Sequence, residues 1–442
     1  MFNRDRYLNA LIEREHNHLV KVITGIRRSG KSFLLNKIFY SYLLETKHVP
    51  EDHIIRFAFD NLEDIALLDA FIPEEPTTKT RRGQSLINAR KFLAYIKEET
   101  KESGDYYLFL DEIQNLEDFV RVLNAFLGHE NYDVYVTGSN SRFLSSEVDT
   151  EFGGRGDRIH LLPMTFSEYL DGTNLDKSEA LKQYLRYGGL PLVQLQTNDE
   201  TKTSQALSIL NETYIKDVLD RHPTVNVSGL SDTLKVVASM ISTPINPARI
   251  ANTFKGVYNI NLTNDAIGNY ISWFEQAYLL NKSLRYDIKG RHYIGSPFKI
   301  YFEDIGIRNA ALRFRDVDET DLIENVVYNE LRYRGFNVDV GVVNIKAKTN
   351  RLDKRGMPIY SDKSTEVDFV ANKGGKTYYV QVAARIDNET KKNQEYESIR
   401  HIPDSFKKII VVKDEGLHYY TEEGFLKISL MDFLTNKDSL DW

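Results

Sequence analysis

Val22-Ile23-Thr24-Gly25-Ile26-Arg27-Arg28-Ser29-Gly30-Lys31-Ser32 decides how the chain is read. Val22 to Thr24 predict a buried strand, and Gly25 and Gly30 bracket a loop. Lys31 and Ser32 open a helix in which Phe33, Leu34, Leu35, Ile38, Phe39 and Leu43 recur at helical spacing to about Leu44. From Gly25 to Ser32 every fixed position of G-x-x-x-x-G-K-[ST] is met. The chemistry of holding phosphate calls for these residue types. Backbone N–H groups of the loop curl round the anion, the helix N-terminus adds its positive end, and Lys31 supplies a full charge. The Ser32 hydroxyl is then placed to bind Mg²⁺. Residues Gly25, Ile26, Arg27, Arg28, Ser29, Gly30, Lys31 and Ser32 are therefore the candidate nucleotide cradle. The alternative is a chance match in a solvated turn, against which the flanking strand and helix argue.

Outward from this stretch, residues 1–19 contain Tyr7, Leu8, Leu11 and Ile12 on one side of a short helix. Ile54 to Phe59 reads as a second strand and Ser85 to Ile96 as a helix. Tyr106-Tyr107-Leu108-Phe109-Leu110-Asp111-Glu112 is a β-prone run ending in two acids. Strands alternating with helices predict a parallel sheet covered on both faces, the three-layer α/β core of a P-loop NTPase. The carboxyl ends of parallel strands form the ligand edge, so Asp111 is expected to hold Mg²⁺ beside Lys31, and Glu112 to polarise the attacking water. The alternative is a strand that ends at the surface with two solvated acids. The long spacing from Lys31 to Asp111 leaves room for another strand between them, which favours ATPases with a catalytic glutamate over simple nucleotide kinases.

A fourth strand, Asp133 to Thr137, runs into Gly138-Ser139-Asn140-Ser141. Asn140 and Ser139 are candidates for sensing the γ-phosphate or positioning water; an ordinary turn is the alternative, since Gly, Ser and Asn are all turn formers. Phe152-Gly153-Gly154-Arg155-Gly156-Asp157-Arg158 precedes an expected fifth strand, Ile159 to Leu162. Arg155, ahead of Arg158, is the candidate arginine finger, acting in the same subunit or across an interface. The alternative is a surface loop with ordinary salt bridges.

These motifs, together with Leu162-Pro163-Met164-Thr165-Phe166-Ser167-Glu168-Tyr169, Tyr187-Gly188-Gly189-Leu190-Pro191 and Lys216-Asp217-Val218, resemble one family: prokaryotic AAA-like P-loop ATPases with a C-terminal restriction-endonuclease-like region. The resemblance covers most of the chain. It implies ATP binding and hydrolysis with Mg²⁺, and no settled cellular role.

Four regions are expected: an AAA-like core at 1–171, a helical lid at 172–224, a winged-helix-like domain at 225–317 and an endonuclease-like α/β domain at 318–442. The third rests on predicted helices at Leu230–Ile241, Asn246–Phe254 and Thr263–Glu275, followed by a hairpin around Lys289-Gly290-Arg291. Asn264 to Glu275 carries two acids and no Lys or Arg, so protein docking and DNA contact both stay open. In the fourth region Glu324 and Glu330 lie on a predicted helix and Asp368 on a strand. Active enzymes of the resembled endonuclease type carry acid-x-Lys on the next strand, whereas this chain has Gln381-Val382-Ala383. A neutral Gln and an Ala offer Mg²⁺ little hold, so the nuclease centre is expected to be dead, with Glu330 and Asp368 left as vestiges or structural acids.

The chain has no cysteine, which excludes disulfides, thiol nucleophiles and Cys-ligated metal. Its 442 residues call for two or three domains, and its net charge of -7 argues against a surface basic all round. No unbroken apolar run is long enough to span a bilayer and no signal-peptide core is visible, so a cytoplasmic protein with no membrane contact is the expectation.

Three functional readings follow. In the first, ATP hydrolysis switches or drives the C-terminal modules, acting on DNA or a partner protein, with a homo-oligomer required if the finger acts in trans. In the second, ATP gates a DNA-binding regulator with negligible turnover. In the third, an active nuclease is coupled to the ATPase. A GTPase is disfavoured, because Asn436-Lys437-Asp438-Ser439 has the wrong spacing for a guanine contact.

Overall fold

The computed structural model describes residues 2–71, 86–138, 152–222, 224–257, 260–315, 319–352, 356–386, 388–413 and 416–442. The chain divides into two compact units, Met1–Pro163 and Met164–Trp442.

The first unit is built on five parallel strands: β1 (Val20–Thr24), β2 (Ile54–Ala58), β3 (Tyr106–Asp111), β4 (Tyr132–Thr137) and β5 (Gly156–His160), in the order β2-β3-β4-β1-β5. The strand for which the Lys31–Asp111 spacing leaves room is β2, which pairs with β3, and β4 separates β3 from β1 in the sheet. All residues of β1 and β3 are buried, as strands covered on both faces require.

Helices α1 (Asp5–Ile12), α2 (31–46), α3 (Leu62–Leu67), α4 (Ala89–Glu99) and α5 (Phe119–Phe126) accompany the sheet. Helix α2 winds with wide turns over Leu34–Phe39 and Tyr42–Thr46. Alternate side chains of β3 show how the layers form. Phe109 meets Phe39 of α2 with ring centroids 5.6 Å apart, while Leu108 and Leu110 join Phe92, Val122 and Phe126 from α4 and α5 in one cluster. The period of two along the strand thus sends neighbouring residues into opposite layers. Asn88 starts α4 by accepting from the backbone N–H of Arg90 and Lys91 at 2.9 and 3.1 Å, and Asn61 caps α3 through Glu63.

Inside this apolar sheet lies one ion pair. Lys21 of β1 donates to Asp133 of β4, and both side chains are 1% exposed. Asp133 also accepts from the Tyr135 hydroxyl at 2.9 Å and the His16 backbone N–H at 3.1 Å. Burial followed by the Asp133 charge raises the Tyr135 pKa well above its ordinary value, so its hydroxyl keeps the proton it donates.

The fifth strand differs from expectation. It spans Gly156–His160 instead of beginning at Ile159, because Asp157 and Arg158 are held in register with Lys21 and Val22. Polar side chains are tolerated there because β5 is the edge of the sheet, with one side open.

In the second unit, helices at Phe166–Asp171, Lys177–Tyr187, Pro191–Gln194 and 199–221 give way to three more at Val227–Ser239, Pro247–Val257 and Asn264–Gln276. An antiparallel hairpin follows, β6 (Leu280–Asp287) with β7 (His292–Phe302). It is not a free wing. Arg285, Tyr286 and Asp287 of β6 pair in parallel with Val340, Gly341 and Val342 of β8 (Asn337–Leu352). The sheet continues through β9 (Pro358–Lys373), β10 (Lys376–Ala383), β11 (Lys407–Val412), β13 (Leu426–Ser429) and β12 (Tyr419–Tyr420), eight strands in all among the described residues. One sheet therefore crosses the 317/318 boundary expected from the sequence. No helix among the described residues is long and apolar enough to cross a membrane.

Candidate functional site

The loop after β1 owes its shape to backbone that few residues can adopt. Gly25 has φ +138°, and a Cβ there would lie 2.2 Å from the Leu161 carbonyl oxygen, since Leu161 N–H donates to Thr24 O at 2.8 Å. Only glycine fits so close an approach. Arg28 at φ 67° and Gly30 at φ 97° are also left-handed, and Gly30 passes the chain into α2, where Leu34 N–H donates to Gly30 O at 2.8 Å.

Lys31 is 6% exposed and its Nζ donates to Gly25 O at 3.0 Å and Ile26 O at 3.2 Å, so the ammonium is folded back over the loop. The Ser29 hydroxyl is buried without a hydrogen-bond partner, and Ser32 is exposed. A concave loop with a positive-φ turn, an orphaned buried hydroxyl and a lysine at its mouth fits a polyphosphate.

The two acids stand on the same sheet edge as this loop, at the end of β3 with β4 interposed. Thr137, at the end of β4, joins them. Its hydroxyl donates to Asp111 and accepts the Glu112 backbone N–H at 3.2 Å. Asp111 is 8% exposed. Glu112 has φ 53°, an uncommon conformation for a residue with a Cβ, and its carboxylate accepts from the Gln114 amide. Such strain persists where the surroundings over-determine it, here through Thr137 and Gln114.

Thr137 and Gln114 were not among the residues singled out in the sequence. The signal for Thr137 was available, a hydroxyl at the tip of the strand neighbouring the acids, but only the sheet order shows which strand is the neighbour. Replacing Thr137 by Val keeps the shape and removes the donor that orients Asp111. Nucleotide turnover should fall about 10- to 100-fold while the melting temperature stays close to wild type, measured by phosphate release and thermal melting.

Asp60, just past β2, carries a pKa above the ordinary carboxylate value, first through burial and then through the negative charge of Asp111, with Arg27 opposing. The rim of the site is thus acidic on the β2 side and basic on the loop side. A cavity of about 480 Å³ on the β2 side is lined by Asn36, Asn61, Asp64, Tyr95 and Asp111 among others; it includes none of residues 25–32, so it is not the phosphate cradle.

One candidate stands apart from this constellation. Arg155 precedes β5, where its carbonyl accepts from Val20 N–H at 3.0 Å and its guanidinium donates to Asn124 Oδ1 at 3.2 Å. It lies at the amino end of β1 and β5, and Lys31 lies beyond the carboxyl end of β1, a separation of one five-residue strand, roughly 16 Å. Starting β5 at Gly156 puts Arg155 on the edge opposite the cradle, so it does not reach the phosphates of its own chain. Asn140 and Ser139 lie outside the described residues.

In the second unit Asp368, Glu324 and Gln381 are brought together. The structure adds a lysine that no motif had marked. Lys299 of β7, 4% exposed, donates to Glu324 Oε1 at 3.0 Å and to Asp368 Oδ1 at 3.5 Å. Glu324 also accepts from the Tyr301 hydroxyl at 2.6 Å, and Asp368 from Val382 N–H at 2.9 Å. Burial opposes the Lys299 charge, but the two carboxylates outweigh it and hold its pKa above the usual value. Burial and the Glu324 charge push Asp368 up to about 7. Glu330 is elsewhere, paired with Arg334 at 2.8 Å.

Residues 17–170 match the family model described as an AAA domain, and residues 178–318 match a domain of unknown function, DUF8612. The AAA match and the parallel sheet are consistent with a P-loop NTPase core in the first unit, and the match implies nucleotide binding. An uncharacterized protein of Haemophilus influenzae is 30% identical over 98% of both chains. An uncharacterized protein of Methanocaldococcus jannaschii is 28% identical over 93% of this chain and 85% of its own. Among solved structures, the Aeropyrum pernix ORC1 protein in complex with DNA is 14% identical, with a TM-score of 0.32 over 70% of this chain and 92% of that one. A DNA polymerase III gamma subunit-related protein of Thermotoga maritima is 11% identical, with a TM-score of 0.27 over 62% and 100%.

Proposed function

We propose, from the premise that this chain belongs to one full-length family with the Haemophilus influenzae protein, that it binds ATP in the 25–32 loop and hydrolyses it to switch or drive its C-terminal modules, acting on DNA or a partner protein. The observation that carries the reading is the Thr137 hydroxyl bonded to Asp111 and to the Glu112 backbone, which sets two acids on the edge of the sheet that also carries the lysine loop.

Lys31 and the backbone N–H groups of 26–31 would hold the β- and γ-phosphates. Ser32 and Asp111 would hold magnesium, which supplies neutralising charge to those phosphates when bound. Glu112 takes a proton from the attacking water as its oxygen bonds to the γ-phosphorus. The bond from that phosphorus to the bridging oxygen breaks, leaving ADP and phosphate. Arg155, on the opposite edge, can serve as a finger only for another copy of the chain, which ties that role to an oligomer.

Glu112→Gln keeps the shape and the hydrogen bond from Gln114 but removes the base. Turnover should fall at least about a hundredfold with ATP affinity unchanged within a few-fold, read by phosphate release and by calorimetric titration. Normal hydrolysis in this variant would remove Glu112 from the mechanism.

The part to be driven is the second unit, in which the helices lead into the sheet that joins the 280–302 hairpin to the 318–442 region. The Asp368 cluster is read as inactive in DNA cleavage, because Lys299 occupies the space between its carboxylates. Metal-dependent nicking of supercoiled DNA by the purified chain, lost in Asp368→Ala, would overturn that part alone.

A further inference from the structure

The edge of the first sheet opposite the nucleotide loop carries a second arrangement of ligand-bearing side chains. Asp52, His53 and Glu102 each offer one ligand atom, and these atoms lie within 4.8 Å of one another. Asp52 and His53 close the turn Glu51–His53 that leads into β2, and Glu102 belongs to the segment that leads into β3.

The imidazole is fixed in both orientation and tautomer. His53 Nδ1 lies 3.0 Å from the Asp105 carbonyl oxygen, which can only accept, so Nδ1 carries the proton and Nε2 the lone pair. The ring stacks on Tyr106 with centroids 4.5 Å apart and planes 11° from parallel. The ring also lies against Gly104, where φ is +145° and a Cβ would lie 2.5 Å from His53 Cε1. A carbonyl that locks the far nitrogen of an imidazole is the usual support of a metal-binding histidine.

We propose that Asp52, His53 and Glu102 form a binding site for a zinc-class divalent cation. One imidazole with two carboxylates suits Zn²⁺ and its neighbours, whereas Mg²⁺ prefers oxygen ligands alone. Zinc bonds of about 2.0–2.1 Å in a tetrahedron put ligand atoms about 3.4 Å apart. The 4.8 Å limit is closed to that value by rotation of the two carboxylates, whose residues are both exposed. Water completes the fourth position. A bound ion cross-links the turn before β2 to the segment before β3, the strand that delivers Asp111 and Glu112.

Zinc titration of the full chain against a chromophoric chelator, with magnesium in excess, tests this. The wild type should bind one Zn²⁺ per chain, and His53→Gln should weaken it about tenfold or more. Asp52→Asn and Glu102→Gln alter exposed side chains, and each should weaken zinc by a similar factor. No zinc bound to the wild type, or affinity unchanged in all three variants, overturns the proposal. Loss in His53→Gln with neither carboxylate variant affected overturns the three-ligand site as well.

Discussion

Lys31→Ala is expected to abolish ATP turnover and to weaken nucleotide binding by roughly a hundredfold or more. A charged hydrogen bond to phosphate, formed where water is largely excluded, contributes up to about 3 kcal/mol, and each 1.4 kcal/mol is tenfold in affinity. The same substitution should barely affect folding. Lys31 Nζ donates to Gly25 O and Ile26 O, and losing those two contacts costs on the order of 1 kcal/mol. A chain that melts near the wild-type temperature but gives no calorimetric heat with ATP and magnesium is the result that fits. Binding within about threefold of wild type would remove the loop from the nucleotide site and the proposed mechanism with it.

The largest effect on stability is expected at the Lys21–Asp133 pair. Asp133→Ala leaves an ammonium between β1 and β4 with no counter-charge, and the Tyr135 hydroxyl and His16 N–H lose their acceptor at the same time. Breaking a buried pair from one side costs about 3–5 kcal/mol, a large fraction of a domain's whole stability. Replacing both partners by apolar residues of similar size, Lys21→Met with Asp133→Leu, should recover most of it, because no charge is then left without a partner. Denaturant unfolding of the wild type and these two variants separates these outcomes. If the double variant is no more stable than Asp133→Ala, the loss comes from packing and not from the stranded charge.

Most of the first sheet was legible in the sequence because its strands are buried on both faces and read as apolar runs. Ile54 to Phe59 and Tyr106 to Glu112 were placed within a residue or so of where they form. The edge strand β5 was misplaced because an edge tolerates Asp157 and Arg158, which broke the apolar pattern used to find it. That shift carries Arg155 to the wrong end of the sheet for a finger acting in its own chain. The hairpin at 280–302 was found by its turn, but its pairing with β8 joins residues about 55 positions apart, and no local pattern encodes such a partner. Lys299 was invisible for the same reason. Its neighbours in the chain are ordinary strand residues, and its charge acquires meaning only beside Glu324 and Asp368.

The order of residues by itself determined the shape of the loop after β1, because Gly25, Gly30, Lys31 and Ser32 act through backbone shape and charge within eight consecutive positions. It determined the acids too, since a buried strand that ends in Asp111-Glu112 must deliver them to one edge. Tertiary structure alone decided that Thr137 steadies both acids and that Lys299 fills the carboxylate pair. It alone decided that Asp52 and His53 meet Glu102. Each of these depends on which strands or turns become neighbours, and that choice is made by the summed burial of whole elements and not by any short run of residues.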